Sequence, residues 1–176
     1  MIYTGIGNRR FVPGQVIRSM IWLAEVMSDR GYTLRSGAAY GSDAAFEEGC
    51  DNVKGQKEIY LPWKGFNDHQ SELYEPPKRA FDLAKEHHPY WNRLSQTEKC
   101  FHARNTQQVL GELVYEPSDF VLCWTPDGCE SDETRTKETG GTGQAISVAS
   151  TRGIPVFNLK NDDAMDRLVE FLKEIE

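Results

Sequence analysis

Three glycine-rich turns punctuate this chain, and each follows a short apolar run and opens a helix-like stretch. They are Gly5-Ile6-Gly7-Asn8-Arg9-Arg10, Ser36-Gly37-Ala38-Ala39-Tyr40-Gly41-Ser42-Asp43 and Gly140-Gly141-Thr142-Gly143. A glycine turn that feeds a helix start presents bare backbone N–H groups and the positive end of a helix dipole. Both suit a phosphate or a carboxylate. One such turn closes many ordinary strand–helix junctions. Three in one short chain, the first carrying two arginines, point to a nucleotide-like ligand.

The spacing of apolar residues sets the frame around these turns. Ile2–Thr4 reads as a strand, and Gly14–Arg30 as a helix with Val16, Met20, Leu23, Ala24 and Met27 at helical spacing. Tyr32–Arg35 reads as a second strand and Ser42–Cys50 as a helix capped by Ser42. Glu58–Leu61 is a third strand, stopped by Pro62. Lys78–His88 and Phe101–Tyr115 read as helices, and Phe120–Trp124 as a buried strand. Gly143–Arg152, Ile154–Leu159 and Asp162–Ile175 complete a helix, a strand and a closing helix. Alternating strands and helices predict a three-layer α/β/α fold around a mainly parallel sheet of about five strands. Ligands of such sheets bind beyond the strand C-termini. The length of 176 residues suits one domain spanning 1–176.

Charge narrows the partners. The net charge of −7 disfavours a broad duplex-DNA footprint, which relies on excess Lys and Arg. A single small anion remains within reach of Arg9, Arg10, Arg35 and Arg104. No apolar run approaches the roughly 20 residues that span a bilayer. The strand-like start at Met1-Ile2-Tyr3 leaves no room for a signal peptide, so no membrane and a cytoplasmic location are expected. Cys50, Cys100, Cys123 and Cys129 form no C-x-x-C pair, and the four histidines form no H-x-x-x-H. Reduced thiols and no metal site are expected.

The turns also exclude specific chemistries. Gly5-x-Gly7 lacks the third glycine of a dinucleotide fingerprint, and no acid sits at the tip of the second strand, so a nicotinamide cofactor is not expected. Gly140–Gly143 lacks the lysine of a Walker A loop. No cofactor is expected at all. Asn8, Arg9 and Arg10 are candidates for ribose and phosphate contact, since guanidinium suits phosphate bidentately. Asp43 reads either as a first-turn carboxylate on a helix dipole or as a ribose partner. Glu47, one turn later, shares its helix face. The pair reads either as catalytic acid and base or as an ordinary polar face.

Taken together and in order, these residues resemble the Rossmann-like superfamily (SLOG) that includes the DNA-processing DprA/Smf proteins and the LOG, or lysine decarboxylase-like, nucleotide phosphoribohydrolases. Ser36 to Asp43 looks like the DprA-type S-G-G-A-x-G-x-D turn. Leu61-Pro62 with Asn67 looks like its strand-three exit, and Arg104-Asn105 like its R-N pair. Gly140–Gly143, Ala149 and Gly153-Ile154-Pro155-Val156 look like its last glycine helix and strand. The resemblance covers roughly residues 3–159 and is closer on the DprA-like side, and the compact single-domain form also looks like stand-alone relatives of the phage type. It implies a nucleotide pocket that uses Gly5, Gly7, Ser36, Gly37, Gly41, Ser42, Arg104, Asn105, Gly140, Gly141, Thr142 and Gly143. It also implies a homodimer or higher oligomer, with the Phe101–Tyr115 helix, Tyr90 and Trp91 as the surface. Two departures stand out. The chain has no winged-helix domain or general basic character, and Ser147 stands where the LOG motif carries its glutamate.

The expected function is therefore binding of a nucleotide or nucleotide-derived small molecule. The alternatives are nucleotide N-glycosidic cleavage using Asp43 or Glu47, and DprA-like binding of single-stranded nucleic acid. The latter would use Arg9, Arg10, Arg35 and Arg104 with Trp63 and Trp91. The acidic stretch Thr125–Thr139 lacks apolar periodicity and reads as a mobile surface loop, acting either as a lid or as a solvated connection.

Overall fold

Strand residues of alternating parity face opposite sides of a sheet, and this rule organises the whole molecule. The computed structural model describes residues 1–175. Five strands, β1 (Ile2–Gly7), β2 (Thr33–Ser36), β3 (Lys57–Ile59), β4 (Phe120–Trp124) and β5 (Val156–Asn158), form one parallel sheet in the order β3-β2-β1-β4-β5. Tyr3, Leu34, Phe120, Leu122 and Phe157 point to one face, where they pack on helices α1 (Gly14–Asp29) and α2 (Ser42–Asn52). The last helix, α6 (Ala164–Ile175), covers the same face through Leu168 and Leu172. Ile6, Val121, Cys123 and Val156 point the other way. There they meet α3 (Lys78–Glu86), α4 (Gln96–Leu110) and α5 (Thr142–Ser150). The result is the three-layer, Rossmann-like α/β/α fold that the alternation of elements predicts.

Helix α4 departs from the sequence reading at both ends, each for a local reason. Helix α4 starts at Gln96, not Phe101, because Ser95 and Glu98 form a reciprocal capping box. It ends at Leu110, not Tyr115, because Gly111 takes a left-handed φ of 78° and donates its N–H to Gln107 O. Residues Ala103, Arg104 and Thr106–Leu110 of this helix are buried within the chain. Of the surface expected to meet a second copy, Tyr90 and Tyr115 are exposed, whereas Trp91 is half-buried beside His88 and His102.

Strand β1 runs through Gly5 and Ile6, so the first glycine turn begins only at Gly7. Gly5 therefore serves the core. A Cβ there would lie 2.6 Å from Phe46 Cγ and 2.9 Å from Leu34 Cδ1. The variant Gly5→Ala is expected to lose about 1–3 kcal/mol by overpacking, read as a lowered urea midpoint. An unchanged midpoint would contradict this packing.

The Thr125–Thr139 segment is not the structureless stretch its composition suggests. Asp127 accepts hydrogen bonds from the hydroxyls of Thr136 and Thr139, and Cys129 is fully buried. Asn158 Nδ2 donates to Thr125 Oγ1 at 2.7 Å and to Cys129 O at 2.8 Å. Glu130 pairs with Arg167 at 2.7 Å. Short Thr, Ser and Asp side chains bond the local backbone and replace apolar periodicity as the organising force. These bonds occupy Asp127 and Glu130. The four cysteines are free thiols. Among the described residues no helix is long and apolar enough to cross a membrane.

Candidate functional site

The chain leaves β1 toward β2 and leaves β4 toward β5, so the connections diverge where those two central strands end. This is the switch point at which α/β sheets open a crevice. Gly7 pairs with Trp124 at that edge, and Asn8 N–H closes the pair by donating to Trp124 O at 3.1 Å. A cavity of about 380 Å³ opens directly above, within the size range of small-ligand sites. Gly7, Asn8, Arg9, Arg10, Asp43, Arg104, Asn105, Gly140, Gly141 and Thr142 all line it.

Its first wall is the exit of β1. A Cβ on Gly7 would run into Ser42 Oγ and lie 2.7 Å from Trp124 O. Gly41 has a φ of 77°, and a Cβ there would come within 2.6 Å of Asn8 O. Both positions need glycine for close backbone approach. Ser42 then fixes the turn from below, donating both its N–H and its hydroxyl to Asn8 O at 3.2 and 3.1 Å. Arg9 and Arg10 are exposed, and Arg9 Cζ sits 5.7 Å from the centroid of Phe101. Phe11 follows in a left-handed conformation, φ 60°, with its ring almost fully solvent-exposed at the cavity rim.

The second wall is one face of α4. Glu98, Phe101, His102, Asn105 and Gln108 recur at helical spacing and all line the cavity. Arg104 lies on the same side but is buried. Its Nη1 donates to Gly37 O and lies 3.8 Å from Asp43 Oδ2, while its Nε donates to Asn105 Oδ1 at 3.2 Å. Asn105 Nδ2 in turn donates to Gly141 O at 3.2 Å. Arg104 and Asn105 thus tie the second glycine turn to the third. Gly37 makes room for this: a Cβ there would collide with the Arg104 guanidinium.

Asp43 sits at the foot of the cavity, buried at the start of α2. Its carboxylate accepts from Gln108 Nε2 at 3.3 Å and from the Ala39 N–H. Burial pushes its pKa up to about 6, although Arg104 and the two hydrogen bonds pull the other way. His102 moves in the opposite direction. Burial, then the neighbouring His88 and Arg135, lower its pKa to about 4.

The third wall is the start of α5. Gly140 takes a φ of 64°, and nothing lies near the face of Gly141 where a side chain would project. Gly143 and Gln144 N–H turn back onto the carbonyls of Gly140 and Gly141 at 3.2 and 3.4 Å. Those of Gly141 and Thr142 precede the helical ladder.

Not every residue singled out from the sequence reaches the cavity. Gly5 and Ser36 support the sheet, where Ser36 Oγ donates to Gly5 O at 2.7 Å. Gly37, Gly41 and Ser42 shape the turns from behind. Gly143 is buried under Arg135, whose Nε would lie 2.6 Å from a Cβ on Gly143. Glu47 points away from the cavity: it pairs with Lys57 at 2.8 Å and with His69 at 2.7 Å. Asp43 and Glu47 therefore do not converge on one ligand. Arg35 is fully buried, held by Glu58 at 2.7 Å, so it offers nothing to an outside phosphate. Ser147 is buried and donates to Gly143 O at 2.9 Å. Trp63 stacks edge-on against Phe66 and Phe101 beside the cavity rather than in it.

Sequence reasoning passed over Phe11, Glu98, Phe101 and Gln108 as site residues. The last three were recoverable, because they fall at i−6, i−3 and i+4 from Arg104 on a single helix face. Among the described residues no three His, Cys, Asp or Glu side chains gather as a metal site. The chain matches no family model, no curated protein and no solved structure in the comparisons made.

Proposed function

We propose that the protein binds a nucleotide or nucleotide-derived small molecule in the switch-point cavity. One observation carries this reading. The open glycine turn at the start of α5 and the exposed cations Arg9 and Arg10 line the same cavity of about 380 Å³. The N–H groups of Gly141 and Thr142 and the two guanidinium groups suit phosphate. Phe101 and Ile6 supply apolar surface for a base, and Asn8 and Asp43 supply polar groups for ribose hydroxyls. The resemblance to SLOG proteins supports the same assignment, since its Ser36–Asp43 turn, its Arg104-Asn105 pair and its Gly140–Gly143 turn fall at this cavity or directly behind it.

Calorimetry against a panel of nucleotides and ADP-ribose derivatives tests the reading. The expected result is one saturable ligand class whose affinity drops about 10–100-fold in Arg9→Ala/Arg10→Ala, two charge-assisted contacts being removed. A bound ligand indifferent to that double substitution would overturn the reading.

A second reading, N-glycosidic cleavage, draws on Asp43 alone: a buried carboxyl with a raised pKa inside a cavity is a candidate acid or base. It would act without a second carboxylate from Glu47 or from position 147. Chromatography of the same mixtures for released base separates binding from cleavage, and release that survives Asp43→Asn would exclude Asp43 as the acting group.

A further inference from the structure

A second cavity, about 730 Å³, adjoins the first at Gly140, which lines both. Its walls come from the segment after α3 and from the loop before α5, and include His87, His88, Arg135 and Lys137. Arg135 is its most distinctive group. The guanidinium is half-buried and leans on Gly143, the glycine that makes room for it. It donates to His87 O at 2.9 Å and to Ser147 Oγ at 3.4 Å, and no carboxylate among the described residues pairs with it within 4.0 Å. Glu86 and Asp132 also line the cavity, but both are exposed and solvent-screened. Of the four charged side chains that line the cavity, Arg135 is the half-buried one.

His88 presents a donor. His88 Nδ1 accepts from Tyr90 N–H at 3.3 Å, which leaves the neutral ring's proton on Nε2. The His88 ring lies 4.5 Å from that of His102, which lines the first cavity, so this pair stands between the two spaces. His102 Nδ1 is buried without a hydrogen-bond partner among the described residues, a state that calls for a compensating neighbour.

We propose that the second cavity is an anion site that receives a second phosphate group of the ligand. Arg135 is the principal cation, and His88 and Lys137 are further donors. The nucleotide identity of the ligand's first part rests on the proposed function, whereas the anion site stands on its own residues. A ligand that fills both spaces passes its phosphates over Gly140 and carries at least two phosphate groups.

Inorganic pyrophosphate tests the anion site without any nucleotide. Titrated into the full chain and followed through the imidazole resonances, it should shift His88 saturably and leave His69, which is held by Glu47, unmoved. Arg135→Gln should weaken this binding about tenfold or more, the loss of one charge-assisted contact. Because Arg135 also supports the loop, Lys137→Glu serves as the exposed second variant and should weaken binding in the same direction. No saturable shift at His88, or a shift indifferent to both substitutions, overturns the proposal. A second arm compares a nucleoside monophosphate with its diphosphate. The diphosphate should bind more tightly to the natural chain and no more tightly to Arg135→Gln. Pyrophosphate binding without any nucleotide binding would retain the anion site and remove the nucleotide reading. Equal mono- and diphosphate affinities with a silent His88 would do the reverse.

Discussion

Arg104→Ala is expected to destabilise the protein by about 3–5 kcal/mol near neutral pH, the range for breaking a buried ion pair from one side. The guanidinium is buried and serves three partners at once: Gly37 O, Asn105 Oδ1 and Asp43. Removing it strands a buried carbonyl and leaves the Asp43 carboxylate without its countercharge. The cost should shrink at mildly acidic pH, because Asp43 can then neutralise by protonation. Lysine should not rescue it, since one ammonium group cannot reproduce the fork that spans Gly37 and Asn105.

The same geometry makes the effect separable from a general loss of packing. Gly37 lacks a side chain because a Cβ would collide with Arg104, and its φ is not in the left-handed region. Gly37→Ala should therefore be costly in the natural chain and cheaper in the Arg104→Ala background, where only the mobile end of Gln108, 2.6 Å from that Cβ, still has to shift. Urea unfolding of the four proteins gives the coupling energy directly. Additive losses would mean that Arg104 does not hold this turn.

The contrast between Arg104 and Arg35 shows what the sequence could and could not carry. Both arginines neighbour a glycine turn, and both read as ligand candidates. Arg35 lies on β2 at the register position opposite Glu58 of β3, and the two form an internal pair. Cross-strand register is a tertiary fact that linear spacing does not encode. Asp43 and Glu47 mislead in a related way. The i, i+4 spacing puts both on the same side of α2, but Lys57 and His69 capture Glu47 before it reaches the cavity.

The strand–helix alternation, by contrast, was legible because it depends on local periodicity alone. The Ser95–Glu98 capping box and Gly111 were equally local signals and mark the true ends of α4. Reading them would have exposed the Phe101–Gln108 face as a cavity wall. The loop at 125–139 stayed opaque for a different reason. Its order comes from side-chain hydrogen bonds with partners on β5 and α6, such as Asn158 and Arg167. No hydrophobic pattern announces those.

Asp43 should leave a pH signature of inverse sign to that of most carboxylates. Its pKa rises from 3.8 to about 6 on folding because burial disfavours the charged form. The native state therefore holds this proton more firmly than the unfolded chain. The stabilising contribution is fully present at the acidic end and is lost as pH rises through about 6, a change of about 3 kcal/mol. Other groups act in the opposite direction. His88 and His102 are held below their ordinary pKa by burial, and Asp127 is lowered by the Thr136 and Thr139 hydroxyls against its own desolvation. Their stabilisation is lost as pH falls, so the raw profile mixes both signs. Subtracting the profile of Asp43→Asn isolates the buried acid, since asparagine does not titrate and the pull of Arg104 on the carboxylate is already contained in the folded pKa. Measured by urea unfolding, the natural chain should gain on the variant as pH falls from about 7 to about 4. The functional counterpart follows from its place in the cavity. Protonated Asp43 can donate to a ligand oxygen, whereas the carboxylate repels phosphate across the same space. Ligand affinity in the natural chain should therefore decline as pH rises from about 4 to about 7, relative to Asp43→Asn. A difference profile that is flat, or that slopes the other way, would mean Asp43 is ionised throughout and held as an ordinary partner of Arg104.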